Sequence, residues 1–429
     1  MDIIEAGITR VLPPNIMKYA VRFDANDRVL TIKGDTYHLP TGRVFVIGGG
    51  KASGLMAETL ESIVNPENIS AGVVNCKSRD YATSKIKIIP AGHPIPDQRG
   101  VNGVQEMLSL RQHYSIGEGD LVICLISGGG SALMPCPVDE VNLEDKQSIT
   151  ELLLSSGAEI GEINTVRKHL SKIKGGHLGR FYSPAIVVSL ILSDVIGNDL
   201  AIIASGPTVP DPTTFSDAYN VLTKYELLTR APKSVTDFLR KGCQGGVTET
   251  PKILNNCYNY IIGDNRLALE AMFKKATETG FTPYIITAEQ KGDTTAVARS
   301  RAKEILSTRY AGYNAILLGG ETTPRLPPAA GRGGRNQHYA GVSMLAMEQA
   351  AVEWVVASVG TDGSDFLPDV AGAIVDNNSL DIAKAKGLDV ESYLGRYDSN
   401  TLLDKIGNSL VITGETGTNV GDVIIYLLK

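Results

Sequence analysis

The chain has 429 residues, with 41 basic against 47 acidic side chains for a net charge of −6, and is 43% apolar and 21% charged. This is the composition of a soluble globular protein with room for two α/β domains, and its acidic balance argues against nucleic acid as a partner. Five scattered cysteines give neither a disulfide framework nor a zinc site. With no signal-like N-terminus and no apolar run approaching about 18 residues, the chain reads as cytoplasmic, with no membrane partner.

In chain order, short apolar runs alternate with longer amphipathic ones, as in βαβ units. Strands are predicted at 43–48, 71–75, 87–92, 120–127 and 185–193, with helices at 51–63, 98–114 and 161–180. Several of these strands are apolar on both faces, which suits a parallel sheet covered by helices. The stretch KGCQGGVTETPK, 241–252, has no periodicity and marks a boundary between domains at 1–240 and 253–429. Beyond it the alternation restarts at 259–264, and the chain closes with SLVITG and DVIIYLL, which read as a hairpin.

The chemistry gathers in polar clusters that directly follow predicted strands, where ligands bind in open α/β sheets. In VFVIGGGKASGLMAE, 44–58, a strand runs into Gly49, Gly50 and Lys51 and then into a helix. Such a turn suits an anion, and a lysine at a helix start opposes the dipole unless an anion offsets it. The alternative is a tight turn with an exposed lysine. A dinucleotide fingerprint needs a third glycine where Ser53 stands, and Walker spacing is absent. In LISGGGSALM, 125–134, Ser127, Gly128, Gly129, Gly130 and Ser131 form a loop whose backbone N–H groups can make an anion nest.

Over 163–179 a helical wheel puts Asn164, Arg167, Lys168, Ser171 and Lys174 on one stripe, with three cations and no carboxylate. A solvated face and an anion-facing one remain open for it. Asp194 follows the strand at 185–193, where a carboxylate can meet a metal or a substrate hydroxyl, or cap a helix. In the second half, GRGGRNQHYA carries Arg332 and Arg335 on a glycine frame suited to oxyanions, and GTDGSD carries Asp362 and Asp365. His93 and His169 stand alone and read as structural.

Taken together, GGGKAS, AGHPIPD, SGGGSAL, INTVRKHLSKIKGG, SDVIGNDL, ASGPTVPDPTT, GGETT, GRGGRNQ, GTDGSD and TGETGTNVGD resemble, in order, the motifs of the two-domain MOFRL-type glycerate 2-kinases. The resemblance implies a Rossmann-like N-terminal domain, a smaller mixed α/β C-terminal domain and an active site in the cleft between them. It also implies phosphorylation of D-glycerate by ATP with Mg2+ or another divalent cation. On this reading Lys51, Asp194 and Arg335 are catalytic, with Asp194 also the metal ligand. Substrate and phosphate fall to Gly49, Gly50, Ser127, Gly128, Gly129, Gly130, Ser131, Asn164, Arg167, Lys168, Arg332 and Asp362. The sequence departs from the family pattern at His338, where Glu is usual, in the run GTDGSDFLPDVAG, and at Glu415 in place of proline. An NAD(P)-dependent hydroxypyruvate reductase is the alternative enzyme, and a nonenzymatic anion-binding protein the alternative class. The product, 2- or 3-phosphoglycerate, is left open with C2 favoured, as is the oligomeric state, a homodimer being one option.

Overall fold

The computed structural model describes residues 1–39 and 42–429. By packing, the chain divides into a Rossmann-like unit, Ile16–Ile262, and a C-terminal unit that joins Met1–Asn15 to Gly263–Lys429.

The Rossmann-like unit begins with a small antiparallel sheet of β1 (Val21–Asp24), β2 (Val29–Ile32) and β3 (Asp35–His38), too short and too polar to stand out in the sequence. Its main sheet contains β4 (Val44–Gly49), β5 (Ile69–Cys76), β6 (Ile86–Pro90), β7 (Leu121–Ile126), β8 (Ile186–Leu192) and β9 (Cys257–Gly263), in the order β6-β5-β4-β7-β8-β9. Strands β4 to β8 are mutually parallel. Every residue of β4 and β7 is buried, which is why both read as unbroken apolar runs. The chain leaves β4 for β5 and β6 on one side and returns as β7 on the other. Strand order therefore reverses between β4 and β7, paired from Val44↔Leu121 to Gly49↔Ile126. Such a reversal opens a crevice at the carboxyl ends of the two strands.

Two expectations need correction here. The helix predicted over 161–180 is two helices, Ile160–His169 and His177–Tyr182. Between them Ser171 forms an antiparallel bridge with Pro137, and Gly175 and Gly176 turn the chain at φ +55° and +82°. The segment 241–252 is bound into this unit rather than lying free between two units. Glu249 accepts the Phe215 N–H at 2.9 Å and lies 3.3 Å from His169 Nε2, and Pro251 O accepts the Asp211 N–H at 2.9 Å.

The C-terminal unit holds a mixed sheet of β10 (Pro283–Gln290), β11 (Ala315–Gly320), β12 (Trp354–Gly360), β13 (Gly372–Asp376), β14 (Leu410–Val411) and β15 (Asp422–Leu428), ordered β10-β11-β15-β12-β13-β14. The expected hairpin of β14 with β15 does not form. Strand β15 is buried from Asp422 through Tyr426, so it takes the interior place between β11 and β12, while the two-residue β14 pairs with β13 at the edge. The first helix, Asp2–Arg10, buries Ile3, Ile4 and Ile8. Its Gly7 lies so close to the helix Asn265–Glu278 that a Cβ would meet Met272 Cγ at 2.7 Å, which explains why the first residues pack with the last. Among the described residues no helix is long and apolar enough to cross a membrane.

Candidate active site

The two glycine loops of the Rossmann-like unit meet at the carboxyl ends of β4 and β7. Gly50, at φ +156°, leaves no room for a side chain, since a Cβ there would stand 2.2 Å from Ser127 Oγ. The first loop uses up its own donors. Gly50 N–H goes to Asn75 O at 3.2 Å, Lys51 N–H to Gly128 O at 2.8 Å, and Ala52 N–H to Ser127 Oγ at 2.9 Å. Ser53, standing where a dinucleotide fingerprint has glycine, donates its hydroxyl to Leu125 O at 3.1 Å.

The second loop does the opposite. Among the described residues the backbone N–H groups of Gly128, Gly129 and Ser131 donate to no protein acceptor. Consecutive unengaged amides on a glycine turn are an anion nest. Gly129 adopts φ +79°, with the ring of His93 and the stem of Lys51 both close to it. A Cβ at Gly129 would meet His93 Nε2 at 2.9 Å and Lys51 Cγ at 3.2 Å. Gly49, Gly50, Lys51, Ser127 and Gly128–Ser131 thus form one cluster, but Gly50 contributes space rather than a donor.

Around this cluster the chain holds a strained turn. Ala204 and Ser205 both sit in the left-handed region, at φ 51° and 61°, a conformation that costs non-glycine residues roughly 1–3 kcal/mol each and concentrates at functional sites. The Gly175 N–H holds Ser205 O at 3.0 Å. Ser205 Oγ lies 2.8 Å from Ser131 Oγ and donates to Asn164 Oδ1 at 3.0 Å. Asn164 and Ser131 are thereby brought together from separate segments. Arg167 lies one helical turn beyond Asn164 and is half-buried.

Lys168 corrects the expected stripe. It is buried and turned away onto Asp211, 3.3 Å from Oδ1, so its charge is neutralised inside the protein rather than offered to a ligand. Adjacent helical positions diverge by about 100°, and Arg167 and Lys168 consequently meet different surroundings. Asp194 follows β8 and is half-buried. Among the described residues no group of three or more His, Cys, Asp or Glu could hold a metal.

In the C-terminal unit the polar loops satisfy one another. Arg335 grips Asp422 with both branches of its fork, Nε to Oδ2 at 2.6 Å and Nη2 to Oδ1 at 2.9 Å, and sets Nη1 against Glu321 at 2.9 Å. Burial alone would lower the Arg335 guanidinium, but Asp422, Glu321 and Asp365 hold it above its ordinary range. Asp365 caps the helix that Arg335 begins, accepting the N–H of Asn336 at 3.0 Å and of Gln337 at 2.9 Å. Burial raises its carboxyl against these hydrogen bonds. Asp362 sits half-buried in its own turn, accepting from Ser364 N and Oγ, both at 3.0 Å. Arg332 is exposed and its side chain makes no hydrogen bond or ion pair among the described residues.

A profile described as a domain of unknown function, DUF4147, matches residues 1–240, and another described as the MOFRL family matches 314–422. The chain belongs to this DUF4147–MOFRL family. Over its whole length it is 40% identical to a Pyrococcus horikoshii protein named glycerate 2-kinase, covering 98% of that protein. An Agrobacterium vitis relative with the name "Putative hydroxypyruvate reductase" is 39% identical over 91% of this chain and 88% of its own length. A crystal structure titled glycerate kinase, from Thermotoga maritima, superposes with a TM-score of 0.83 at 36% identity, covering 100% of this chain and 98% of that one.

Three further residues of this DUF4147–MOFRL protein, His93, Glu321 and Asp422, stand in these clusters without being expected as site residues, and Asp365 joins them from the GTDGSD pair. His93 reads as structural in isolation and lies beside Gly129. Asp365 is the buried partner of the GTDGSD pair, Asp422 opens β15, and Glu321 follows β11. The signal for the last two was their place at the ends of apolar strands, the same signal that marks Asp194.

Proposed function

We propose that this chain transfers the terminal phosphoryl group of ATP to D-glycerate, at the 2-hydroxyl. The observation that carries the reading is the open amide loop Gly128–Gly129–Ser131 with Lys51 packed against it. Phosphoryl transfer asks a protein mainly for positioning and for fixed positive potential around the transferring oxygens. In this role the three N–H groups hold phosphoryl oxygens without reorganising, and the Lys51 ammonium neutralises the charge that builds on them. Asp194, at the carboxyl end of β8, is the residue to hold a divalent cation, which needs only one or two carboxylates when phosphates supply its other ligands. Such an ion would supply Lewis-acid neutralisation of the phosphate charge. Arg335 keeps two branches of its fork on Asp422 and offers Nη1 to an oxyanion when the half-exposed Glu321 gives way.

The reductase reading has a relative's name in its favour and local geometry against it. An enzyme that binds NAD in this fold places an acidic residue at the carboxyl end of the second strand. Here that position holds buried Asn75, whose Nδ2 is engaged by Gly100 O at 2.9 Å and Leu133 O at 2.8 Å. Glu67, the nearest acid in sequence, lies in the turn Pro66–Asn68 before β5, at the wrong end of that strand.

A coupled assay decides between these readings. ADP release that depends on D-glycerate supports the kinase, whereas NADH consumption with hydroxypyruvate and no ADP release overturns it. Phosphorus NMR of the product distinguishes 2- from 3-phosphoglycerate, and a 3-phosphoglycerate signal would move the reaction to the other hydroxyl.

A further inference from the structure

Behind the Ser131–Ser205–Asn164 chain lie three cations, Lys146, Arg167 and Lys174, that form no ion pair with a carboxylate among the described residues. Lys174 is 1% exposed and donates to Ser131 O at 3.0 Å and, more weakly, to Met134 O at 3.4 Å. Lys146, on the helix Leu143–Ser155, is 6% exposed and donates to Leu170 O at 3.2 Å. Arg167 is half-buried and makes no hydrogen bond or ion pair among the described residues. The Asn164 side-chain amide, with its oxygen taken by Ser205, likewise has no acceptor for its N–H groups.

These charges feel one another. Burial, then the neighbouring Lys146 and Arg167, push the Lys174 ammonium well below its usual range. Burial and Arg167 bring Lys146 to about 7 against the opposing pull of Cys136. Burial drives the Cys136 thiol up against the pull of Lys146, Lys172 and Lys174. The nearby Lys172 is paired with Asp139, and Lys168 with Asp211, so the protein neutralises the cations on either side of this group and leaves the group itself bare. Buried charge without a counter-ion is costly, and it is relieved either by loss of the proton, the direction in which Lys146 and Lys174 are pushed, or by an oxyanion ligand that restores the charged form.

We infer that Arg167 and the Asn164 amide, backed by the buried ammonium groups of Lys146 and Lys174, form an oxyanion subsite adjoining the Gly128–Ser131 loop. The inference rests on the kinase reading only for the identity of the occupant, which is either the carboxylate of the acceptor acid or a phosphate group of the nucleotide. Arg167 presents the planar fork suited to either group. Lys146 and Lys174 act through the potential they set at Arg167 and through the Ser131 carbonyl.

The test is binding, so it stands apart from turnover. Thermal unfolding is followed for the wild type, Arg167→Gln and Lys146→Met, each titrated separately with inorganic phosphate, D-glycerate and ADP. Inorganic phosphate should stabilise the wild type, and its midpoint should weaken at least ~10-fold in both variants. Lys146→Met should also unfold at a higher temperature than wild type without ligand, because it removes an uncompensated buried charge, whereas a purely structural lysine would give a lower one. Loss of the D-glycerate response in Arg167→Gln with the ADP response intact assigns the subsite to the carboxylate. The reverse assigns it to the nucleotide, and loss of both places it where the two meet. Wild-type midpoints for all three ligands in Arg167→Gln overturn the inference. Should that variant not fold, wild-type midpoints in Lys146→Met overturn it instead. A chain that shows these anion responses but no glycerate-dependent ADP release keeps the subsite and loses the kinase reading.

Discussion

In the Rossmann-like unit, among the described residues, the N–H groups of Gly128, Gly129 and Ser131 in the loop after β7 meet no acceptor, and Arg167 on the helix Ile160–His169 makes no hydrogen bond or ion pair. In the C-terminal unit the corresponding loops close on themselves, with Arg335 locked to Asp422 and Glu321, and Asp365 capping the helix at Asn336 and Gln337. Both regions are rich in glycine and charge, yet the first leaves its donors open while the second has already engaged Arg335 and keeps only Arg332 of its glycine frame exposed. A donor's worth to a ligand depends on what the protein has left for it, because a satisfied group must break one interaction to make another. The comparison predicts that substitutions in the first region act on turnover and those in the second act first on stability.

The largest effect should come from Lys51→Ala. Removing a preorganised cation beside the open loop should lower kcat by at least ~100-fold, while the urea midpoint changes little. Glycerate-dependent ADP release checks this, and near-normal turnover would take Lys51 out of the site.

Asp365→Ala is the counterpart in the C-terminal unit. It strands the buried N–H groups of Asn336 and Gln337 and the Gln337 amide, which Asp365 Oδ2 accepts at 2.9 Å. Leaving a buried donor unsatisfied costs about 1–3 kcal/mol per group, read here as a lower urea midpoint. An unchanged midpoint would mean that the helix start is satisfied by water and that the two regions do not differ as described.

Why the sequence separates these regions only in part is visible at single residues. Strands β4 and β7 were legible because a strand buried on both faces must be apolar throughout, and the glycines after them because positive φ and close approach demand them. Which amides remain free was not legible. It depends on Gly50 meeting Asn75 and Lys51 meeting Gly128, contacts between segments far apart in the chain. Arg167 and Lys168 are neighbours of like charge, and only the position of Asp211 decides which is neutralised. In GTDGSD both aspartates follow a strand, and the docking of a helix start selects Asp365. His93 carries no local signal, since its role comes from Gly129 lying against its ring.

Gly129→Ala sharpens the comparison at a smaller scale. The backbone there is left-handed at φ +79°, and the new methyl would press on His93 Nε2 and Lys51 Cγ at 2.9 and 3.2 Å. Relief requires both side chains to move by a few tenths of an ångström. Since a misplacement of about 1 Å can cost ~100-fold, a loss of roughly 10-fold in kcat is expected, with KM for ATP rising. Wild-type kinetics would show that neither side chain needs its present position.

The smallest effect is a slope with pH. Lys146 faces Arg167 and Lys174, with Cys136 as the opposing neighbour, and its folded pKa lies near 7 against an ordinary lysine value of about 10.4. Below about pH 7 both folded and unfolded chains hold the proton, so the penalty of the buried charge is fully felt. Between pH 7 and about 10.4 the folded chain has shed a proton that the unfolded chain keeps. More protons are then bound in the unfolded state, and the contribution of Lys146 to stability must rise with pH across that window. Other groups titrate there too, so the informative quantity is the difference between wild type and Lys146→Met. The variant's stability advantage should be greatest near pH 6 and should shrink steadily toward pH 9. Saturating inorganic phosphate should remove much of that advantage at pH 6, because an anion beside Lys146 supports its charged form. A difference that stays constant from pH 6 to pH 9, measured by urea unfolding, would mean that Lys146 keeps its proton at ordinary strength and that the charge around it is already balanced.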